Sequence, residues 1–433
     1  MKISTDTVIL GAGFSGMSTA FHLRNQDYLI LEKESEAGGL ARTIERGGFL
    51  FDYGIHVLFS KDQYVKDFVA MLLGDNFIAQ ERNSFCFSHG LLRKYPFQLN
   101  LYGLSPEIIA DCLIGMAGKT RHPGLHTFNF RDWLKNTFGQ GIAEHFLVPY
   151  NEKNWSHDLE QMDFKWANER VPAPEFNDVV RGALFPPGPN VGPATDFWYP
   201  KTDGVGALSK ALAEKVNVRY DSEVVAINPN EKIVILDNGT EISYQKIVST
   251  IPLPHLISAL FPDATDEMRL AAASLVSNVV TTINVGLKSP TITHAHWIYF
   301  SEKIFPFHRV SFPSNFSSNM APPGRSSVQM EISSLEPFNK TEQITLMFNS
   351  LSQLSDLGLI SYVNQDDIAT YDIQTINPAY VIYKLGYQEH VGLLRSELAK
   401  RDIYTCGRFG SWQYINIDES LLRGKEVAER INQ

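Results

Sequence analysis

Three glycines near the start of the chain have the spacing of a phosphate-binding turn. Gly11, Gly13 and Gly16 form a Gly-x-Gly-x-x-Gly pattern, and Glu32 follows 21 residues after Gly11. A backbone without side chains lets a helix N-terminus approach a pyrophosphate closely, and a carboxylate at this distance can accept a hydrogen bond from a ribose hydroxyl. The pattern predicts dinucleotide binding, with a structural tight turn as the alternative. Because the acidic Glu32 disfavours a ribose 2′-phosphate, the expected dinucleotide is FAD or NAD.

The residues around these glycines predict the elements that must position them. Residues 8–10 are a short β-type run, residues 17–24 have a helix-compatible composition, and residues 28–31 are a second β-type run that ends at Glu32. This order of strand, glycine turn, helix and strand is one βαβ unit. The first 32 residues therefore have the pattern of a dinucleotide-binding fingerprint.

A second glycine-rich segment decides between the two cofactors. The run Gly38-Gly39-Leu40-Ala41-Arg42, together with residues 47–52, resembles the second signature of flavoproteins in the glutathione-reductase-like and amine-oxidase-like superfamily. The alternative is a glycine-rich loop followed by a hairpin. The resemblance favours FAD.

The remaining sequence predicts two further regions. Residues 104–181 have large apolar residues at helical spacing, which predicts a helical insert. Strand patterns return from residue 216, with a hairpin signal at 237–239, and alternating β-type runs extend from 279 to 387 around one amphipathic helix near 341–354. We therefore expect an α/β protein with a Rossmann-type FAD-binding domain, a helical insert and a mostly antiparallel β-sheet domain.

The expected domain limits are discontinuous. The three domains are the FAD-binding domain (1–81, 193–276 and 388–433), the helical substrate domain (105–177) and the antiparallel sheet domain (82–104, 178–192 and 277–387).

Composition excludes several functional classes. The 433 residues carry 48 acidic and 38 basic side chains, and a net charge of −10 disfavours nucleic acid as a partner. Apolar runs stay below the roughly 18 residues that a membrane-spanning helix needs, so no membrane insertion is expected. Three cysteines at unrelated spacings predict buried free thiols and no metal site, and the amino-terminal residues lack an apolar leader pattern, so a cytoplasmic location is expected.

Side-chain catalytic signatures do not explain the chemistry. The chain has no His-Glu-x-x-His or Gly-x-Ser-x-Gly pattern, and the near match to a Walker motif at Gly118-Lys119-Thr120 has Leu113 where the first glycine is needed. The reaction is therefore expected to belong to the flavin, while the protein provides position and charge.

Several segments of the chain are rich in arginine and tyrosine. They are Arg82-Asn83-Ser84, Lys94-Tyr95-Pro96-Phe97-Gln98, Pro149-Tyr150-Asn151-Glu152-Lys153-Asn154-Trp155, Glu169-Arg170-Val171, Trp297-Ile298-Tyr299, Pro306-Phe307-His308-Arg309, Gly386-Tyr387 and Gly407-Arg408-Phe409-Gly410-Ser411-Trp412-Gln413-Tyr414. Together these segments resemble the UDP-galactopyranose mutase family, in particular its eukaryotic-type branch. The spacings from Asn151 to Arg170 and from Tyr299 to Arg309 also agree with the family.

The resemblance implies a role for each matching residue. Arg170, Arg309 and His56 are the expected catalytic residues, and His56 and Phe59 would lie in a mobile loop beside the flavin. The uridine would contact Tyr95, Phe97, Gln98, Asn151 and Trp155, whereas Arg170, Tyr299, Arg309, Tyr387 and Tyr414 would clamp the pyrophosphate and Trp297 would also contact substrate. The expected cofactor-binding residues are Gly11, Gly13, Phe14, Ser15, Gly16, Glu32, Lys33, Gly39, Leu40, Arg42, Val225, Arg408 and Tyr414, with Arg82 as a further cofactor contact. For any one arginine or tyrosine the alternative is a surface residue or ion pair, and for His56 an ordinary packed histidine.

The activity implied by the resemblance is interconversion of the pyranose and furanose forms of a nucleotide sugar. The expected substrate is a UDP-hexose such as UDP-galactose. N5 of the reduced flavin would attack the anomeric carbon, NAD(P)H would be the external reductant, and the product would serve cell-surface polysaccharide biosynthesis. Ala194 stands where the family has an asparagine facing the sugar, and Leu147 replaces a methionine near the base. The alternatives are a flavin amine oxidase or desaturase, and a non-catalytic nucleotide-sugar-binding flavoprotein. The oligomeric state is left open.

Overall fold

A computed structural model gives the structure of residues 2–25, 27–121, 127–168, 170–171, 173–186 and 196–433. The strands of these residues are β1 (Lys2–Ser4), β2 (Thr7–Leu10), β3 (Tyr28–Leu31), β4 (Thr43–Arg46), β5 (Phe49–Asp52), β6 (Ile78–Glu81), β7 (Ser84–Ser88), β8 (Leu91–Lys94), β9 (Asp196–Tyr199), β10 (Val218–Arg219), β11 (Val224–Asn228), β12 (Ile233–Leu236), β13 (Glu241–Ser243), β14 (Lys246–Ser249), β15 (Val276–Ser277), β16 (Val279–Leu287), β17 (Trp297–Phe300), β18 (Arg309–Ser311), β19 (Ser326–Ser334), β20 (Ile368–Ile376), β21 (Val381–Ile382) and β22 (Ile403–Thr405).

The helices lie mainly between residues 106 and 184 and in the second half of the chain. They are α1 (Phe14–His22), α2 (Gln63–Leu73), α3 (Pro106–Arg121), α4 (Phe130–Phe138), α5 (Gln140–Ile142), α6 (Val148–Trp155), α7 (Phe176–Leu184), α8 (Gly206–Ala213), α9 (Leu253–Ala259), α10 (Asp266–Ala273), α11 (Lys340–Asp356), α12 (Tyr387–Ala399), α13 (Gly407–Gly410) and α14 (Ile417–Ile431), and a π-helical turn over Ala143–Leu147 joins α5 to α6.

A five-stranded parallel sheet forms the nucleotide-binding part of the fold. Its strand order is β10-β3-β2-β14-β22. All four residues of β2 are buried, as expected for a strand covered on both faces by helices. Helix α1 lies against the sheet and packs along the final helix α14. The predicted βαβ unit and the Rossmann-type fold are confirmed.

A smaller sheet in the order β1-β13-β12-β11 lies beside it. The predicted hairpin joins β12 to β13, where Gly239 has a φ of 78° and donates its N–H to the carbonyl of Leu236. A residue with φ in this range favours glycine, which explains the Asp-Asn-Gly signal.

The second large sheet has seven strands in the order β20-β16-β19-β18-β17-β7-β8. Its neighbouring strands are antiparallel except for β17 and β7. The expected mostly antiparallel sheet is therefore confirmed. Helix α11 covers the predicted helical region and begins with a capping box between Asn339 and Glu342.

The predicted helical insert consists of α3 to α7 and the short turns between them. Trp133, Phe138 and Phe146 are buried in one apolar cluster of this insert, as their helical spacing indicates. Helix α7 crosses the expected domain limit at residue 177, and its buried residues Val179 and Ala183 belong to the same cluster. The division into three domains stays a prediction.

Candidate active site

The glycine turn between β2 and α1 has the geometry of a phosphate cradle. A Cβ atom on Gly16 would lie 2.1 Å from the carbonyl oxygen of Gly11, so a side chain there is incompatible with the packing of helix on turn. A Cβ atom on Gly13, the N-cap of α1, would have no atom within 4 Å. The first turn of α1 therefore faces open space with its N–H groups, where a pyrophosphate can approach.

Glu32 lies directly beside this turn. Its carboxylate accepts hydrogen bonds from the backbone N–H of Ala12 at 2.7 Å and of Glu34 at 3.0 Å. A carboxylate has about four acceptor sites, so a ribose hydroxyl can still be bound. Ser15 donates its hydroxyl to the carbonyl of Ser420, and it can offer a phosphate only its backbone N–H.

The remaining cofactor residues predicted in this region lie at different depths. Phe14 is buried in the core, whereas Lys33 is exposed and lies 3.8 Å from Glu34. Val225 is 51% exposed, next to an irregularity in the pairing of β11 with β12.

The second glycine segment is docked on the same turn. Gly38 donates its N–H to the carbonyl of Ala12 at 2.9 Å, and a Cβ atom on Gly39 would lie 3.5 Å from the Cα of Gly13. Arg42 donates from Nε to the carbonyl of Gly39 at 2.9 Å, and its guanidinium lies over the Tyr53 ring. The loop is thereby held against the phosphate cradle. Leu40 packs against the apolar cluster around Val280 in the seven-stranded sheet.

Arg408 is oriented by two tyrosine rings. Its guanidinium carbon lies 4.5 Å from the ring centre of Tyr414 and 5.2 Å from that of Tyr380. Nη2 lies 3.4 Å from the carbonyl of Ala379, but the buried Nε has no hydrogen-bond partner among the residues that the structure describes. A buried donor without a partner is costly. An acceptor atom of a bound cofactor or substrate would satisfy it.

His56 is held in one neutral tautomer. Its Nδ1 lies 3.1 Å from the carbonyl of Gly54, which can only accept, so the proton is on Nδ1 and Nε2 is an acceptor. Burial, and then the charge of Arg408, lower the pKa of His56 to about 4. His56 is therefore neutral near pH 7. Phe59 packs edge-on against Phe197 in the same loop region.

Tyrosines from separate parts of the chain meet in front of this loop. Tyr95 lies 5.2 Å from Tyr299, Tyr150 lies 5.5 Å from Tyr299, and Tyr380 stacks on Tyr414 at 5.9 Å, all measured between ring centres. Four arginines contact these rings or flank them. We call these side chains together the Arg/Tyr cluster, which consists of Tyr95, Tyr150, Tyr299, Tyr380 and Tyr414 with Arg82, Arg170, Arg309 and Arg408.

Burial keeps the hydroxyls of four tyrosines of this cluster protonated. It raises the pKa of Tyr95, Tyr150, Tyr299 and Tyr380 above the ordinary value, while the charge of Arg309 opposes the rise at Tyr150, Tyr299 and Tyr380. These groups are neutral hydrogen-bond donors beside permanent cations. Such a combination suits an anionic ligand with several oxygen atoms.

Arg309 is held by a carboxylate on the neighbouring strand. Its Nε and Nη2 lie 3.0 and 2.6 Å from the two carboxylate oxygens of Glu331. Burial lowers the pKa of the Arg309 guanidinium, but the adjacent Glu331 charge outweighs it and the pKa is raised. Arg309 is therefore a fixed cation.

Arg170 has a similar partner at the start of α14. Its Nη2 lies 2.9 and 2.7 Å from the carboxylate oxygens of Glu419, and its guanidinium lies 5.1 Å from the ring centre of Tyr414. Glu419 also accepts from the N–H of Asn416 as part of the helix cap. The arginine expected to hold phosphate is ion-paired within the chain.

Of the residues expected at the uridine end, Tyr95 belongs to the Arg/Tyr cluster, Asn151 is half-buried, and Phe97, Gln98 and Trp155 are buried. Phe97 is buried and stacks on Phe146 at 4.8 Å. Trp155 is 2% exposed and donates to Asn151, whose amide donates to the carbonyl of Leu147. Gln98 and Trp297 are also buried.

Tyr387 lies outside the cluster. It packs against Tyr383 with 4.7 Å between ring centres, at the start of α12, in the core below the parallel sheet. Tyr380 takes the position that the sequence assigned to Tyr387. Ala194 lies outside the described residues.

Sequence reasoning missed Tyr380, Glu331 and Glu419, and it left Tyr150 without a role. Tyr150 was within a matched segment, directly before Asn151, and this was the signal available. The two glutamates carry no local pattern. No group of three or more potential metal ligands occurs among the described residues, and the three cysteines are free and buried as expected.

Comparison with known families agrees with this geometry. Residues 9–72 match an NAD(P)-binding Rossmann-like domain, and residues 114–431 match the family described as flavin containing amine oxidoreductase. The chain belongs to the flavin containing amine oxidoreductase family. This membership supports FAD as the cofactor, and it confirms the amine-oxidase-like superfamily that the glycine motifs indicated.

Several curated proteins similar in sequence to this chain are protoporphyrinogen oxidases. The chain is 24% identical to protoporphyrinogen oxidase 1, chloroplastic, of Spinacia oleracea over 62% of this chain and 53% of the relative, and 21% identical to the enzyme of Oryza sativa subsp. japonica over 62% and 57%. The chain thus aligns with little more than half the length of these relatives.

Solved structures of this amine oxidoreductase fold cover the whole chain. A crystal structure of reduced UDP-galactopyranose mutase superposes with a TM-score of 0.90 at 27% identity and covers 99% of this chain and 93% of that one. A putative protoporphyrinogen oxidase from Exiguobacterium sp. 255-15 superposes at 0.73 with 16% identity over 99% and 98%. The second likeness concerns the fold alone.

The described helices include none that is both long and apolar enough to cross a membrane.

Proposed function

We propose that this flavoprotein interconverts the pyranose and furanose forms of a nucleotide sugar. The proposed substrate is a UDP-hexose such as UDP-galactose. The observation that carries the proposal is the Arg/Tyr cluster, which brings four cations and five tyrosines together. Its Arg408 directly follows Gly407, on which a Cβ atom would lie 2.9 Å from the hydroxyl oxygen of Ser15 at the start of α1. The likeness to UDP-galactopyranose mutase supports it, because it extends over 99% of the chain.

The cluster explains how a protein of net charge −10 could hold an anionic ligand. Hydrogen bonds to charged groups contribute about 1.5–3 kcal/mol each, so two or three of them offset a modest long-range repulsion. Arg309 already holds a carboxylate through two nitrogens, and Arg170 holds one through Nη2 alone. A diphosphate offers oxygen atoms in a comparable arrangement.

The reaction requires the UDP group to leave and to return. Reduced FAD, when bound, supplies a nucleophilic N5 nitrogen that can displace UDP from the anomeric carbon. The arginines would hold the departing diphosphate, and the neutral tyrosine hydroxyls would keep it hydrogen-bonded so that it stays beside the sugar. Neutral His56 offers Nε2 as an acceptor for a sugar or cofactor hydrogen.

NAD(P)H would serve as the external reductant in this proposal. The sugar isomerises without a change of oxidation level, so activity needs reduced flavin but consumes no stoichiometric reductant. This property separates the proposal from oxidase chemistry.

The alternative is an oxidase, which the protoporphyrinogen oxidase relatives favour. A flavin amine oxidase or desaturase would need an apolar substrate channel at the flavin. Arginines and tyrosine hydroxyls argue against such a channel, since burying them against an apolar substrate without partners is costly.

The test is anaerobic incubation of dithionite-reduced protein with UDP-, GDP- and TDP-sugars, followed by chromatographic separation of the products. We expect a furanose product from a UDP-hexose with reduced protein and none with oxidised protein. Sustained peroxide production with protoporphyrinogen or an amine, and no sugar conversion, would contradict the proposal. Folded protein that binds no FAD when FAD is supplied would contradict it as well.

A further inference from the structure

Lys153 is a partly buried cation whose partners are all backbone carbonyls. Its Nζ lies 3.0 Å from the carbonyl oxygen of Phe300, 2.9 Å from that of Glu302 and 2.7 Å from that of Phe307. An ammonium group has three donors and no acceptor, so these three carbonyls use all of them.

The three carbonyls lie at the closed end of one hairpin, that of Phe300 in the last residue of β17 and those of Glu302 and Phe307 in the loop that follows. Strands β17 and β18 pair so that Tyr299 lies directly opposite Arg309. Phe300 follows Tyr299 at once, and Phe307 lies two residues before Arg309. The ammonium therefore joins both ends of the loop that connects these two cluster residues.

The helix that carries Lys153 contacts the hairpin at a second point. Tyr150 lies three residues earlier on α6, hence on the same helix face, and its ring meets that of Tyr299 edge-on at 5.5 Å. Tyr150 contacts the strand while Lys153 holds the loop. The orientation of the hairpin relative to the helical insert depends on both contacts.

We propose that Lys153 is a positioning residue for the diphosphate clamp: its ammonium fixes the hairpin loop so that Tyr299 and Arg309 face the ligand in a set geometry. This inference rests on the proposed function. Small displacements of groups that bind a ligand at two points reduce affinity and rate strongly. Loss of the ammonium would remove one hydrogen bond from each of the three carbonyls, of which that of Glu302 also accepts from the N–H of Phe305, and would free the loop to move.

Charge on Lys153 should be sensitive to pH. Burial lowers the pKa of Lys153 to about 7, and the carboxylate of Glu302 partly opposes this. Of the other titratable groups nearby, His308 directly precedes β18 and lies 3.7 Å from Glu331 on β19, and burial, with the charges of Arg309 and Lys153, keeps the pKa of His308 well below its ordinary value. Glu152 on the same helix pairs with Lys303 of the loop at 3.3 Å. As pH rises through 7, Lys153 loses its charge and one donor, while Arg309 stays charged.

The test uses FAD-loaded protein with Lys153→Gln, Lys153→Arg and the control Lys303→Gln. Lys303 is the neighbouring exposed lysine and pairs with Glu152 at 3.3 Å, so its variant removes a charge without touching the three carbonyls. UDP dissociation constants are measured by titration calorimetry between pH 6.5 and 9, and amide hydrogen exchange is followed over residues 300–309.

We expect Lys153→Gln to bind UDP about ten- to a hundredfold more weakly, as for a misplaced binding group, with faster exchange in the loop. Lys153→Arg should bind UDP with most of the wild-type affinity. The affinity of the wild type should decline above pH 7, whereas that of Lys153→Arg should not. Lys303→Gln should have the affinity and the pH profile of the wild type. A Lys153→Gln protein with wild-type affinity and pH profile overturns the proposal, as does a Lys153→Arg protein that binds no better than Lys153→Gln.

Two further outcomes are separable. If the wild type itself does not bind UDP, the proposed function fails. The positioning role of Lys153 is then tested by amide hydrogen exchange over residues 300–309 alone, and unchanged exchange in Lys153→Gln overturns it. If Lys153→Gln does not fold, the comparison of pH profiles between wild type and Lys153→Arg decides.

Discussion

Glu331 holds Arg309 from the directly opposite position on the next strand. The two residues pair in register between β18 and β19, and their side chains make two parallel hydrogen bonds of 3.0 and 2.6 Å. This contact uses the Nε and Nη2 edge of the guanidinium. The Nη1 edge is the one that remains for a ligand.

Arg309→Lys is expected to damage UDP binding and turnover more than its retained charge suggests. Lysine keeps a point charge but loses the planar fork that can engage Glu331 and a phosphate together. We expect at least about a tenfold loss of affinity, equivalent to about 1.4 kcal/mol. Titration calorimetry with UDP measures it, with Arg423→Lys on the surface of α14 as the control. Native affinity and rate in Arg309→Lys would remove Arg309 from the clamp.

Glu419→Gln is expected to strengthen UDP binding. One nitrogen of Arg170, Nη2, contacts both carboxylate oxygens of Glu419, so a diphosphate that approaches Nη2 competes with this carboxylate. Glutamine removes the charge but keeps the acceptor for the helix cap at Asn416. For Glu419→Gln we expect a several-fold lower dissociation constant for UDP and an unchanged melting temperature. The control is Glu426→Gln, about two turns further along α14, which should change neither the dissociation constant nor the melting temperature. Weaker UDP binding in Glu419→Gln would mean that Glu419 positions Arg170 for the ligand instead of competing with it.

The two glycines at the start of α1 should respond differently to alanine. Gly13→Ala adds a methyl group with no atom within 4 Å, so folding should be nearly unchanged while FAD affinity falls. Gly16→Ala places its methyl group against the carbonyl of Gly11, so the whole domain should be destabilised. Thermal unfolding with and without FAD, and flavin content by absorbance, separate the two effects. Full flavin occupancy in Gly13→Ala would contradict the cradle.

Acid should destabilise the protein through its buried histidines. Burial lowers the pKa of His56 and of His296 to about 4, below the ordinary value that they regain on unfolding. The unfolded chain therefore binds more protons between about pH 6.5 and 4, and the free energy of unfolding falls as pH falls, by up to about 1.4 kcal/mol per pH unit for each histidine.

Urea unfolding at several pH values measures this slope. His296→Asn should make it shallower, whereas His294→Asn at a neighbouring exposed position should not change it. Equal slopes in wild type and His296→Asn would show that His296 is not held neutral.

Ala194→Asn is expected to change sugar preference with little effect on UDP affinity. The prediction rests on the sequence, because an added amide can hydrogen-bond a sugar hydroxyl at the one sugar-facing position where the chain departs from the mutase family. Relative rates with UDP-galactose and competing UDP-sugars measure it. An unchanged ranking would mean that Ala194 does not line the sugar pocket.

The sequence alone determined the cofactor cradle. Gly11, Gly13, Gly16 and Glu32 lie within one βαβ unit, and the requirement for glycine at each position follows from backbone geometry over a few residues. The parallel sheet and the antiparallel sheet were likewise predictable, since strand patterns and the hairpin at Gly239 depend on local periodicity and turn chemistry.

Only the tertiary structure decided which side chains meet at the site. Tyr380 and Tyr387 are seven residues apart and look alike in sequence, but one stacks on Tyr414 and the other packs in the core. Arg170 and Glu419 are separated by 249 residues, and nothing near either residue indicates the other. Charge pairing and ring stacking act between groups within a few ångströms in space, whatever their separation along the chain, so such partners become visible only when the sheets and helices have been placed together.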